Sequence, residues 1–151
     1  KTIQARVETL WKNLYRMMCE RNGYLQKLAS LSTQSFPDEQ DLFLRMMRAK
    51  EVFEEAVYLR EKAKAERTLH DSMEKLTGLI QSHSQLKSNQ ECLMLKDKIG
   101  ALNQEVGIQI KAYNDLARVY NIRLSTPPEL IVADFAHLSV FELFEEKELS
   151  L

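Results

Sequence analysis

The stretch from Cys92 to Tyr120, CLMLKDKIGALNQEVGIQIKAYNDLARVY, decides the fold class. Mostly apolar residues recur in it at alternating steps of three and four, the spacing that places side chains on one face of an α-helix. This pattern predicts one helix over about 88–124, and a seven-residue repeat of that length favours side-by-side packing on another helix at roughly +20°. The predicted stripe is Cys92, Leu95, Ile99, Leu102, Val106, Gln109, Tyr113, Leu116 and Tyr120.

The same stretch carries two Tyr-Asn pairs, seven residues apart. Tyr113 and Tyr120 continue the stripe, so their rings are expected to pack inward with their hydroxyl groups at the edge of the core. Asn114 and Asn121 lie about 100° around the helix from the tyrosines, which predicts a position on the flank. The alternative is that the two asparagines form a buried pair, which fixes helix register at some cost in stability.

Amphipathic segments on the N-terminal side complete a bundle. The polar stretch Arg60–Arg67 is expected to form a turn, and Ser88 with Glu91 is expected to form a capping box for the last helix. Asn22-Gly23 is typical of a helix stop, with Pro37 as the alternative position of the first turn. The predicted helices cover about 1–22, 37–58, 62–83 and 88–124, with short helical pieces at about 24–33 and 129–147.

The composition agrees with long helices. The chain has 151 residues but only four Gly and three Pro, which leaves little room for the many turns of an all-β fold. We therefore predict a single all-α domain over 1–151, an elongated up-and-down antiparallel four-helix bundle with a short helical C-terminal tail. A long two-stranded coiled coil is the alternative, but several stripes are wider than a coiled-coil seam.

Charge and hydropathy argue against a nucleic-acid-binding protein and against a membrane-spanning segment within this sequence. The formal net charge is −1 and no block of Lys and Arg reaches five residues, so nucleic-acid binding is not expected. No run approaches the ~18 apolar residues that span a bilayer.

Motifs for chemistry are missing from the sequence. It contains no G-x-S-x-G, P-loop, H-E-x-x-H or Glu-x-x-His pattern. Glu66 and His70, spaced by four, could give a metal two ligands, but a surface ion pair is the expected reading, and His83 is expected at a helix end. We predict no catalytic, cofactor-binding or metal-binding residues, no cofactor and no enzymatic activity. The alternative is a metal- or cofactor-binding bundle with redox or enzymatic activity.

The sulfur-containing residues have two interpretations each. Cys19 and Cys92 are isolated thiols without a C-x-x-C pattern, expected to be small buried hydrophobes, and their pairing is left open. Met17-Met18 and Met46-Met47 are expected to fill the core. An adaptable binding surface lined by Met is the alternative.

Four landmarks resemble one family. They are LKSNQE at Leu86–Glu91, YNDLARVYN at Tyr113–Asn121, Pro128 and FELFEE at Phe141–Glu146. In this order and spacing they resemble the LemA family of bacterial envelope proteins. The chain departs from that family at YLQKL, Tyr24–Leu28, where the family has a proline-containing stretch, so we identify it as a divergent member.

The resemblance implies a location and a shape. It implies a helical bundle at the bacterial cell membrane, behind an N-terminal anchor expected to have preceded Lys1, with the side of the membrane left open. The family has no agreed activity and supplies no catalytic residues. We therefore expect a non-enzymatic structural or protein-interaction module that acts through helix-face contacts, with protein partners or self-association and without nucleic acid or an identified small-molecule substrate.

Overall fold

The computed structural model describes the chain from residue 2 to residue 124, and its side chains as far as Ile122. The long elements of this part are α-helices, and no strand occurs within it, which confirms the all-α helical bundle. Within the same residues, no helix has the length and apolar composition needed to cross a membrane. The expected tail at about 129–147 lies outside the described residues. The helices are α1 (Ile3–Ser32), α2 (Gln40–Glu55), α3 (Leu59–Gln81), α4 (Ser84–Lys87) and α5 (Gln90–Leu124).

The four long helices alternate in direction. Helix α1 packs mainly on α5, and α2 packs mainly on α3. The Trp11 and Tyr113 rings lie 6.0 Å apart, whereas the Lys98 ammonium lies 5.0 Å from the centre of the Tyr24 ring. Residue numbers therefore rise along α1 as they fall along α5, so this pair is antiparallel. Lys62 at the start of α3 donates to the Phe53 carbonyl near the end of α2, so α2 and α3 are antiparallel as well.

Helix α1 is one continuous helix, so the break predicted at Asn22-Gly23 is wrong. Gly23 has helical backbone, and a Cβ atom added there would meet nothing within 4 Å. Asn22 is buried and accepts hydrogen bonds from Arg21 through its Oδ1 atom, so it belongs to the bundle interior rather than to a turn. The piece expected at 24–33 is the second half of α1.

The first reversal of the chain lies around Pro37, the alternative position. Two 3₁₀ turns, Thr33–Ser35 and Pro37–Glu39, separate α1 from α2. Proline suits the start of such a turn because its φ angle is fixed and its missing N–H would have no helical partner there. Ser32 ends α1, where its hydroxyl donates to the Leu28 carbonyl at 2.7 Å.

The polar stretch Arg60–Arg67 is helical, so the turn predicted there is wrong. The turn consists of Ala56–Tyr58, because Ala56 already has extended backbone with ψ 136°. The stripe of α3 begins with the buried charged residues Lys62 and Glu66. Hydrophobic periodicity cannot detect a stripe whose first members are charged.

The start of α5 also differs from the prediction. Asn89 caps the helix, since its Oδ1 atom accepts from the Cys92 amide at 2.9 Å. The capping box of Ser88 and Glu91 is therefore wrong: the Ser88 hydroxyl donates back to the Ser84 carbonyl at 3.2 Å.

The core stripe of α5 is displaced from the predicted one at three positions. Leu102, Gln109 and Leu116 are only partly buried. The residues that follow them, Asn103, Ile110 and Ala117, are buried instead. The apolar pattern fits two registers. One places Leu102 and Leu116 in the core, and the other places Asn103 and Ala117 there. The structure selects the register that places Asn103 inside.

Candidate functional site

A buried polar network crosses the middle of the bundle. The Arg21 side chain has no exposed surface, and its guanidinium binds the Glu66 carboxylate through two nitrogens, one of them at 2.6 Å. It also donates to Oδ1 of Asn22 at 2.8 and 3.2 Å and to Oδ1 of Asn103 at 3.2 Å. The network therefore ties together α1, α3 and α5.

The network is a structural device. A guanidinium has five N–H donors, and the five contacts of Arg21 use all of them. Burial of a charge is tolerated only when the charge is paired and hydrogen-bonded, a condition met for both Arg21 and Glu66. No donor of Arg21 is left to hold a ligand.

Glu66 and His70 are not the surface ion pair that the sequence predicted. Both are buried, Glu66 against Arg21 and His70 with its Nε2 atom 3.7 Å from the Glu74 carboxylate. The described residues contain no group of three or more His, Cys, Asp or Glu side chains placed to hold a metal ion.

A second polar cluster closes the C-terminal end of α2. The Lys62 ammonium donates to the Phe53 carbonyl at 2.6 Å, and the Tyr15 hydroxyl donates to the Glu54 carbonyl at 3.3 Å. The last carbonyls of a helix have no partner within the helix, so these two side chains supply one each. The ammonium also lies 4.6 Å from the centre of the Tyr15 ring, a cation–π contact.

Burial disfavours the charged forms of the ionisable groups in this cluster. It raises the pKa of Tyr15 to about 12, with smaller contributions from Cys19 and Glu54. It also raises the pKa of Cys19 and lowers the pKa of Lys62. A tyrosine that keeps its proton remains a hydrogen-bond donor, which is what the cap at Glu54 requires.

The two cysteines are free. Cys92 is fully buried, which confirms the prediction for that residue, whereas Cys19 is only partly buried. Burial raises the pKa of both thiols. Since the thiolate is the reactive form, the raised pKa disfavours the reactive form of both cysteines.

His83 lies at a helix end, as predicted. Its Nδ1 atom accepts from the Leu86 amide at 3.2 Å and so caps α4. Its ring contacts the Phe36 ring edge-on at 5.4 Å. A nitrogen occupied by a cap is not a general base.

The Tyr-Asn pairs are divided between two interpretations. Tyr113 and Tyr120 are buried, which confirms that their rings face inward. Asn114 has no exposed surface, so its predicted position on the flank is wrong, and the alternative of a buried pair holds for this residue. Asn121 is partly buried.

The methionine pairs belong to the core. Met18 and Met46 have no exposed surface, and Met17 and Met47 pack against the core from its edge. An apolar groove does exist between α1, α3 and α5, with Met73 among its lining residues, but its volume is about 300 Å³.

Helix α5 has a second apolar face. Ile108 is 62% exposed, although Val106 and Ile110, two residues away on either side and so about 200° around the helix, are buried in the core. Met94 is 49%, Val119 43% and Ile122 62% exposed. These positions are close to whole numbers of turns from Ile108, so they share one side of the helix. We call this side the outer face of α5. It carries the apolar residues Met94, Ala101, Ile108, Val119 and Ile122, with Asp97 and Asp115 between them.

Sequence reasoning missed both the network and the outer face. Arg21 continues the spacing of the buried Leu14, Met18, Leu25 and Leu28, so an arginine at a stripe position was the available signal for the network. The signal for the outer face was the recurrence of apolar residues at 94, 108 and 122, on the opposite side from the core stripe.

Comparison with known proteins places the chain in a family. No curated protein and no solved structure matches it significantly. The sequence profile described as LemA family matches residues 10–150, nearly the whole chain. This protein belongs to the LemA family.

Proposed function

We propose that this protein is a non-enzymatic protein-interaction module of the bacterial cell envelope, and that it binds protein partners through the outer face of α5. The observation that carries the proposal is the exposure of Ile108 and its neighbours on a helix whose opposite face already serves the core. Large apolar side chains exposed along one side of a helix cost solubility, and groups of them mark sites of interaction. An amphipathic helix of the partner is the natural complement of such a face.

The chemistry of the polar groups supports the non-enzymatic part of the proposal. Arg21 spends its donors on buried acceptors, and the His83 Nδ1 atom caps a helix. Lys62 and Tyr15 bind the end of α2. Each of these side chains holds or caps helices through these bonds.

The location rests on the family resemblance. We propose that an N-terminal anchor holds the domain at the membrane. Fractionation of native cells with an antibody against the protein tests this. We expect the protein in the membrane fraction, released by detergent but retained in high salt. Recovery in the soluble periplasmic fraction or in the soluble cytosolic fraction would contradict the proposed anchor.

The binding face is tested by site-specific photo-crosslinking in the native cell. A photoreactive amino acid replaces Ile108 or Val119 on the outer face of the full-length protein. Val52, which is exposed to a similar extent on α2, is the matched control. We expect adducts with a protein at positions 108 and 119 and few at position 52. Equal yields at all three positions, or none at 108 and 119, would refute the assignment.

A further inference from the structure

We propose that the partner of the outer face is a second copy of this chain, with the two α5 helices packed antiparallel about a twofold axis beside Ile108. This inference rests on the proposed use of the outer face. It adds the identity of the partner and the register of the contact.

The large apolar residues Met94, Ile108 and Ile122 are spaced symmetrically about Ile108, and Ala101 corresponds to Asp115 and Val119 to Asp97. Met94 precedes Ile108 by fourteen residues, and Ile122 follows it by fourteen. A twofold axis at Ile108 therefore places Met94 of one copy on Ile122 of the other, and Ile108 on its own counterpart. Such self-complementarity is what the isologous interface of a twofold dimer requires, because each residue pair occurs twice.

The charges along the face select the antiparallel arrangement. Asp115 and Lys111 are both exposed; Asp115, seven residues after Ile108, lies on the outer face itself, and Lys111 lies at its edge. In a parallel pair Asp115, which lies close to the centre of the face, would meet its own counterpart, and like charges repel. In the antiparallel pair Lys111 lies opposite Gln104, and Asp115 lies opposite Ala101.

One flank of the antiparallel pair gains opposite charges. Asp97 and Arg118 are both exposed, and the twofold axis places Asp97 of each copy beside Arg118 of the other. Arg118 also contacts Asp115 of its own helix at 3.3 Å, an exposed pair that Arg118 can keep. Small Ala101 leaves room opposite that pair.

The expected contact is long but narrow. From Met94 to Ile122 the face extends about 42 Å at 1.5 Å per residue. One helix on one helix buries an area at the low end of specific interfaces, so we expect a Kd in the micromolar range, on the order of 1–100 µM.

Cysteine cross-linking of the full chain tests the register. Ile108→Cys should give disulfide-linked dimers under mild oxidation, because the axis places residue 108 against itself. Met94→Cys alone and Ile122→Cys alone should remain monomeric, whereas an equimolar mixture of the two should form a mixed disulfide. The wild-type chain, with Cys19 and Cys92, reports the background, and Val52→Cys is the exposed control.

The outcomes separate this inference from the proposed function. Self-linking of Met94→Cys as strong as that of Ile108→Cys would overturn the antiparallel register. A wild-type chain that sediments as a monomer at about 200 µM, above the expected Kd, and does not cross-link at residue 108 would overturn self-association. If photo-crosslinking at 108 then still captured another protein, the proposed function would stand and only the second copy would be excluded.

Discussion

Arg21 is a single buried side chain with a large expected effect on the free energy of unfolding. Replacing it with Met keeps much of the apolar volume but leaves the Glu66 carboxylate buried without its partner. Removing one member of a buried ion pair costs about 3–5 kcal/mol. We expect Arg21→Met to lower the free energy of unfolding by that amount, measured by urea denaturation at neutral pH.

The double variant separates pairing from packing. In Arg21→Met/Glu66→Met both charges are gone, so no uncompensated charge remains, and we expect the double variant to be more stable than Arg21→Met alone. A double variant less stable than the single one would show that the two side chains contribute mainly through packing rather than as an ion pair.

Prediction from the sequence was weakest at the residue scale. The helices follow from spacing, but Arg21, Glu66 and Asn103 occupy buried positions that spacing reserves for apolar side chains. Arg21 finds Glu66 and Asn103 in distant parts of the chain. Those partners become visible when the helices are assembled.

At the scale of the element, α1 continues through Gly23, which has helical backbone. Gly costs roughly 0.5–1 kcal/mol relative to Ala within a helix, and a Cβ atom at this position meets nothing within 4 Å. We expect Gly23→Ala to raise the free energy of unfolding by about 0.5–1 kcal/mol in urea denaturation. A loss of similar size would instead indicate the left-handed backbone of a helix stop at this position.

Lys62 stabilises the end of α2 from a neighbouring helix. Lys62→Met retains an unbranched apolar stem but removes the ammonium that binds the Phe53 carbonyl. Since a hydrogen bond to a charged group contributes about 1.5–3 kcal/mol, and burial of the ammonium offsets part of this, we expect a net loss of about 1 kcal/mol. Lys64→Met, at an exposed position of the same helix, is the control and should change stability little. Equal effects in thermal unfolding would contradict the capping role.

The sequence predicted elements well where both the stripe and its boundary were local. Pro37 marked a real reversal of the chain. The turn before α3 was misplaced, because Lys62 and Glu66 made the start of a buried stripe look like a solvated connection. The Gly23 stop failed for a related reason, since glycine permits a helix end without requiring one.

At the scale of the whole molecule, alkaline pH should destabilise the bundle. Burial raises the pKa of Tyr15 to about 12, and it also raises the pKa values of Tyr120, Cys19 and Cys92. The folded state holds these protons more tightly than the unfolded state, so their contribution is complete below the unfolded pKa values, about 9 and 10, and is lost as pH rises through the folded ones. The lowered pKa of Lys62 acts in the opposite sense, as one group against four.

Denaturation at two pH values measures this effect. We expect the urea midpoint to fall between pH 8 and about pH 10.5. In Tyr15→Phe that fall should be smaller, because phenylalanine has no proton to lose. A midpoint that rises over this interval, or an identical fall in the variant, would contradict the assignment to Tyr15.

The all-α architecture was predictable from the sequence, but the outer face of α5 was not. Few glycines and prolines, together with four amphipathic stripes, were enough for an all-α bundle. The outer face escaped notice because a stripe search follows the strongest periodicity in each helix. In α5 a second, weaker apolar periodicity runs on the opposite side, and only burial distinguishes the two.

The central claim is that α5 has two faces with different tasks, and substitutions two residues apart test it most directly. Ile110→Asp places a carboxylate in the core, whereas Ile108→Asp places it on the outer face. The deciding measurement is sedimentation velocity combined with thermal unfolding of both full-length variants. We predict that Ile108→Asp unfolds like the dilute wild-type chain but no longer associates, and that Ile110→Asp loses several kcal/mol of stability, on the order of 3–5. An Ile108→Asp variant that associates as the wild type does, or is destabilised as strongly as Ile110→Asp, would contradict the account.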